Sequence, residues 1–252
     1  MSDNNASTPP ADDEKSGASK KFIGSAVVVA AIVVLGLVLS LTNLFGGKTE
    51  PTPTASAPSA STPATTTPTT TSDASVCGLD AVEMSGTVTT APTATWALVG
   101  TTAAPSIKAH GPGKIESDGF RSCYARTPTG ALLAASNLIA MGSEAPLLGK
   151  KITERLTVPG PGRDAALAQP PAGEDSSGVR IQIVGFRVLR YDGNQADVDI
   201  AIRTSTGAIG AQAFTLRWVD GDWKVVLAPN GDLPSRMSQL PSLSGYTAWS
   251  GA

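Results

Sequence analysis

From Phe22 to Phe45 the sequence reads FIGSAVVVAAIVVLGLVLSLTNLF, without one charged residue. At ~1.5 Å per residue a helix of that length crosses a ~30 Å hydrocarbon core, which predicts a transmembrane helix over 22–45. A secretory signal peptide is the rival, but its apolar stretch is usually only ~7–15 residues and ends in a small-x-small cleavage site. Leu41-Thr42-Asn43-Leu44-Phe45 supplies no such site. Lys15, Lys20 and Lys21 precede the run and only Lys48 follows it closely. The positive-inside rule then places the N-terminus in the cytoplasm and everything after the span outside it, as a single-pass signal-anchor protein of the cell membrane. Ala26 and Ala30 form a small-xxx-small pair of the kind that lets two spanning helices approach closely, so homo-oligomerisation is one expectation.

The segments on either side do not form a core. Residues 1–21 are Ser-, Asn-, Asp- and Lys-rich and read as a disordered cytoplasmic tail. Residues 46–75, with PTPTASAPSASTPATTTPTTT at their centre, read as a disordered Thr/Pro/Ser-rich stalk. In extended form it reaches up to about 85 Å, and its hydroxyls are candidates for O-linked sugars. What remains, 76–252, is long enough for one extracytoplasmic domain.

Several function classes are short of parts. The chain has 19 basic and 21 acidic residues, a formal charge of −2, so it offers no positive field for nucleic acid and no direct nucleic-acid binding is expected. Two cysteines and one histidine cannot assemble a zinc ribbon or a histidine cluster, and neither metal nor cofactor is expected. Cys77 and Cys123 both fall beyond the span, where thiols oxidise, and pairing them in a disulfide is the expectation; two buried free thiols are the alternative. Closing a loop of that length stabilises by roughly 3–4 kcal/mol in the chain-entropy model. The Gly- and Pro-rich stretch between them reads as having little regular structure, with Trp96, Leu98 and Val99 packing it down.

Thr127-Pro128 is a strong helix start, a hydroxyl to cap free N–H groups followed by a residue that has none. ALLAASNLIAM then carries apolar residues nearly all round, which predicts a largely buried helix. A second helix fits Glu144 to Leu156, and 159–178 reads mostly as loop with a short helical turn near 164–168. From Val179 the period becomes two. IQIVGFRVLRY, a turn at Asp192-Gly193-Asn194, a strand with Ala196, Val198, Ile200 and Ile202 on one side, AQAFTLRWV and a turn at Asp220-Gly221 into Trp223 predict a four-stranded meander. The expected fold class is α+β, N-terminal helices on a curved four-stranded antiparallel sheet. The tail from Pro229, with Tyr246 and Trp249, is left to fold back over that sheet.

Candidate chemistry is sparse. His110 in AHGPG lacks a nucleophile elbow, so no catalytic residue is assigned. Asp197 and Asp199 point away from the apolar side of their strand and serve either as a pocket carboxylate pair or as solvated residues. Trp218 and Trp223 flank the Asp-Gly turn, as partner anchors or as core. Arg187, Arg190, Arg203 and Arg217 lie on adjacent strands, either as a basic stripe for an acidic partner or as scattered surface charge.

Helices followed by a meander ending in RWVDGDWKVVLA resemble the nuclear-transport-factor-2-like superfamily, whose exported members look like inner-membrane scaffolds of type IV secretion. SVCGLDAVEMSG, TWALVGTTAAP with HGPG after it, DGFRSCYARTPTGALLAASNLIA, WVDGDWKVVL and SGYTAWSGA resemble a membrane-protein family of actinobacterial conjugative elements and plasmids, over about 76–252. The resemblance implies association with conjugative transfer, partners among envelope or secretion-channel proteins, and no catalytic residue to carry over. The expected function is thus a non-enzymatic scaffold or assembly component. A cell-envelope ligand-binding or sensor module is the alternative, and an exported enzyme comes after both.

Overall fold

Thr127 holds an extended conformation, and its Oγ1 accepts the Gly130 N–H at 2.9 Å, capping helix α1 (Pro128–Gly142) with proline at its start. In the computed structural model, which describes residues 74–171 and 178–251, this helix is the centre of the domain. The described residues all lie within one compact unit, Thr66–Ala252. The helix is buried nearly all round, from Leu132, Leu133 and Ala135 on one turn to Ala140 and Met141 near its end. Its two buried polar side chains stay satisfied: Ser136 Oγ donates to the Leu132 carbonyl, and Asn137 Nδ2 donates to those of Leu133 and Pro105. Gly130 is needed because a Cβ there would lie 2.0 Å from the carbonyl oxygen of Ala125. The chain entering the helix doubles back that closely.

Before α1 the chain forms two short antiparallel hairpins, β1 (Thr95–Val99) with β2 (Thr102–Ser106) and β3 (Lys114–Ile115) with β4 (Arg121–Ser122). The region between the cysteines is therefore more regular than its composition suggests. After α1 come α2 (Ala145–Leu156) and α3 (Pro161–Ala168). An exposed charge cluster clips α2 to the β3–β4 hairpin. Lys151 Nζ reaches Glu116 at 2.6 Å and Asp118 at 2.5 Å, while Arg155 reaches Glu116 at 2.7 Å. Both cations also lie over the ring of Phe120, Nζ at 4.8 Å and the guanidinium at 4.6 Å.

The sheet then follows: β5 (Ile181–Tyr191), β6 (Gln195–Thr204), β7 (Ile209–Val219), β8 (Asp222–Val225), β9 (Ser238–Leu240) and β10 (Thr247–Ala248). Its order is β10-β5-β6-β7-β8, with β9 beside the other half of β7. Ala196, Val198, Ile200 and Ile202 face α1 and are buried, as period two requires.

The expected four-stranded, nuclear-transport-factor-2-like sheet led by helices is overturned. Among the described residues the sheet has six antiparallel strands, and there are three helices with two hairpins before them. The miss has a physical cause. β9 and β10 span three and two residues of a Pro-, Ser- and Gly-rich tail, too short for any periodicity, and they exist because the edges of β7 and β5 offer them backbone partners. The transmembrane helix expected at 22–45 and the stalk up to residue 73 lie outside the described residues; among those described, no helix is long and apolar enough to cross a membrane.

Between β9 on one edge and β10 on the other the chain must cross the sheet. Four strand spacings amount to ~19 Å, and the chain from Leu240 to Thr247 makes the crossing with a turn in it, the Tyr246 N–H donating to the Leu243 carbonyl at 3.0 Å. It runs over the face opposite α1, where Gly185, Ala201 and Ala211 stand in register and provide room. Trp249 then enters the core, 6% exposed, edge-on to Trp96 and Phe186 at 4.9 and 5.4 Å, with Nε1 donating to the Pro92 carbonyl. Replacing Trp249 with Ala is expected to lower unfolding free energy by about 3–5 kcal/mol, read as an earlier urea midpoint.

Candidate functional site

The only two cysteines form the disulfide Cys77–Cys123. Cys123 belongs to CYAR, four residues that connect several parts of the fold. Asp222, buried at the start of β8, accepts the N–H of Cys123 at 2.7 Å through Oδ2, and those of Tyr124 and Trp223 at 2.9 Å through Oδ1. Trp223 Nε1 donates to the Ala125 carbonyl at 3.0 Å. Arg126, 2% exposed, donates to the Gly193 carbonyl and Asn194 Oδ1 in the β5–β6 turn and lies over the Trp218 ring. Val76 N–H donates to the Gly221 carbonyl, so the start of the described chain is fixed to the same knot.

Burial dominates the electrostatics there. It pushes the Asp222 carboxyl up to about 6, against the lowering pull of its three backbone donors. It also raises the Tyr124 hydroxyl and lowers the Arg121 guanidinium. Arg121 is buried with Ser106 Oγ at 3.2 Å and Asn137 Oδ1 at 3.5 Å. Asp222 holds backbone and Arg121 holds Ser106 and Asn137, whereas the buried Tyr124 hydroxyl meets no hydrogen-bond partner among the described residues.

On the sheet face away from α1, the register brings Arg187 beside Asp199 and Arg190 beside Asp197. Asp199 is buried: Arg187 Nη2 and the Tyr246 hydroxyl both donate to its Oδ2 at 2.6 Å, and the guanidinium lies 4.2 Å from the Tyr246 ring centre. Burial, then the hydrogen bond to Asp199, push the Tyr246 hydroxyl up to about 12. Asp199 thus fastens the crossing segment. Asp197 accepts from Thr215 Oγ1 and Gln195 Nε2. The two aspartates have separate partners and line no common pocket.

The arginines share this face, but they make no basic stripe. Asp199, Asp192 and Asp220 pair with Arg187, Arg190 and Lys224, and Asp197 stands beside Arg190. Arg203 and Arg217 are exposed and form no ion pair with the described residues. Trp218 and Trp223 meet edge to face at 5.4 Å and are both buried, hence core. His110 Nδ1 lies 2.9 Å from Thr127 Oγ1, the helix cap, and supports that cap from the HGPG loop. Among the described residues no group of three or more His, Cys, Asp or Glu converges as metal ligands.

One cleft, about 540 Å³, opens where the β1–β2 turn, the α1–α2 junction and the start of β5 meet, lined by Thr101, Ser143, Glu144, Leu147, Arg180 and Ile181 among others. Sequence reading did not single out this cleft or Asp222; it named Tyr246 only as part of a tail that folds back over the sheet. Asp222 directly follows the Asp220-Gly221 turn, and its burial appears only once CYAR packs on it. The model of a family described as a domain of unknown function (DUF8175) matches residues 56–248. No curated protein and no solved structure matches the chain.

The buried carboxyl carries a signed pH dependence. Asp222 holds its proton more tightly folded, about 6 against an ordinary 3.8, so stability rises as pH falls from above 6 toward 4. The exposed Glu116, held at about 2 by hydrogen bonds from Lys151 and Arg155, adds stability that is lost as pH falls from 4.5 toward 2. Urea midpoints should therefore be highest near pH 4–5. The gain from pH 7, roughly 2–3 kcal/mol, should disappear in Asp222→Asn.

Proposed function

We propose that this chain, which belongs to that family, is a single-pass membrane protein whose exported domain acts without catalysis as a scaffold or assembly component of a conjugative transfer apparatus. The observation that carries the reading is where the tether meets the domain. The Thr/Pro-rich stretch ends at Ser75, and within two residues the chain is bonded to Gly221 and cross-linked to Cys123, the segment on which α1 and both turns of the sheet depend. A load on the stalk would reach the disulfide and the Asp222 knot directly. Export to an oxidising compartment fits the same disulfide. The charge-free run at Phe22–Phe45, with lysines before it, supports the membrane anchor and its orientation, and the resemblance to membrane proteins of actinobacterial conjugative elements supports the apparatus.

Tethered binding is the mechanism. A domain held on a stalk meets membrane partners at high effective concentration, so weak surface contacts suffice. The 540 Å³ cleft favours a second reading, an envelope module that binds a small ligand between Glu144 and Arg180.

In-cell cross-linking of the tagged chain in its native host, followed by mass spectrometry of what co-purifies, separates the two. Secretion-channel proteins or a transfer ATPase are expected, and they should be lost on deletion of 76–252. Recovery restricted to wall-synthesis proteins overturns the transfer role and favours the ligand-binding module.

A further inference from the structure

β1 pairs with β2 and, among the described residues, with no other strand. Which of its backbone groups face outward follows from the hairpin. The turn contains only Gly100 and Thr101, so the closing pair Val99↔Thr102 exchanges hydrogen bonds. Alternation then makes Ala97↔Ala104 and Thr95↔Ser106 bonded pairs, and Trp96↔Pro105 and Leu98↔Ala103 unbonded ones. Pro105, which has no N–H to give, falls at an unbonded position, and its carbonyl turns outward to accept from Asn137 Nδ2 at 3.0 Å. The N–H and C=O of Trp96 and Leu98 therefore point away from β2.

That edge lacks the usual protections. Edge strands are ordinarily guarded by lysine, proline, a bulge or a covering segment. β1 contains no charge and no proline, and its register with β2 is unbroken. No charged residue occurs between Glu83 and Lys108. Thr95, Ala97 and Leu98 are exposed, Leu98 at 70%. The outward groups also sit symmetrically, one residue before and one after Ala97, so the edge is complementary to itself.

We propose that β1 pairs antiparallel with the β1 of a second copy of this chain about a twofold axis at Ala97, joining two hairpins into one four-stranded sheet. Trp96 of each copy bonds Leu98 of the other, Ala97 faces its twin as an unbonded pair, and Thr95 faces Val99. The register opposes no like charges, and it sets an aromatic ring beside an aliphatic chain. A contact of five residues is small and weak in free solution, and it becomes populated where copies are held on one membrane; that condition rests on the anchoring proposed above.

Cysteine cross-linking of the full chain in native-host cells tests the register. Under mild oxidation Ala97→Cys should give a disulfide-linked dimer on a non-reducing gel, because facing unbonded residues lie ~4.5 Å apart at Cα. Thr95→Cys, whose twin is ~13 Å away in this register, should give at least tenfold less. Adding Leu98→Pro to Ala97→Cys removes one outward N–H but none of the β1–β2 bonded pairs, and should cut the dimer by a similar factor with the near-UV spectrum of the purified chain unchanged. No dimer from Ala97→Cys, equal yields at 95 and 97, or indifference to Leu98→Pro overturns the pairing. Fractionation of the same cells scores the anchor separately: chain in the soluble fraction overturns anchoring, while the 97-against-95 ratio still decides the register.

Discussion

The carboxylate of Asp222 is the fixed point of this domain. An unpaired buried charge is costly, and here the cost is partly offset by three backbone N–H donors, two of them in the segment that carries Cys123. Those bonds decide where CYAR lies, and CYAR decides the rest. Ala125 sets how near α1 can start and makes Gly130 obligatory, Arg126 holds the β5–β6 turn, and the disulfide at Cys123 holds the incoming chain. The positive φ of Cys123, Asp220 and Gly221 marks the same knot, where two tight bends are pressed together. Without the buried acceptor, the hairpin of β7 and β8 and the start of α1 would have no common partner.

What was legible in the sequence was whatever repeats. Period two over Ala196 to Ile202 and the Asp-Gly turns marked β5 to β8, and Thr127-Pro128 marked the start of α1, since each signal is local and chemical. What stayed hidden depends on a partner distant in sequence. β9 and β10 carry no pattern of their own and become strands by taking up free edge groups, which turned an expected four-stranded sheet into one of six. Trp218 and Trp223 read as core more readily than as partner anchors, and their burial places them in the core. Asp197 and Asp199 have the same spacing as a catalytic pair, but Tyr246, 47 residues after Asp199, is what gives one of them its role.

The two sheet faces follow different rules. The inner face is closed by a helix that is apolar nearly all round, so its specificity comes from packing. The outer face is crossed by a single segment of backbone with a turn at Leu243–Tyr246, which cannot cover much apolar surface. There the sequence places small residues under the crossing and, at its end, an arginine–aspartate–tyrosine cluster that fixes one geometry. Exposed ion pairs contribute little by themselves. This one differs because Asp199 is buried and accepts two donors from separate segments, so loosening Tyr246 leaves a buried carboxylate short of a partner.

That division of labour also separates the secure edges of the fold from the open one. β7 is flanked by β8 and β9 along its outer side, and β5 is covered where the crossing lands as β10. Tyr191, at the far end of β5, is bonded to Glu83 by its hydroxyl, which ties the N-terminal segment along that end. The tail therefore spends its residues closing the main sheet. Among the described residues the small sheet receives no such strand, although the same tail passes close enough for Trp249 to meet Trp96 edge to face. A chain that supplies extra strands to the main sheet and leaves charge-free β1 uncapped keeps one set of backbone groups available, and hydrogen bonds at such an edge gain most when a partner strand excludes water from them.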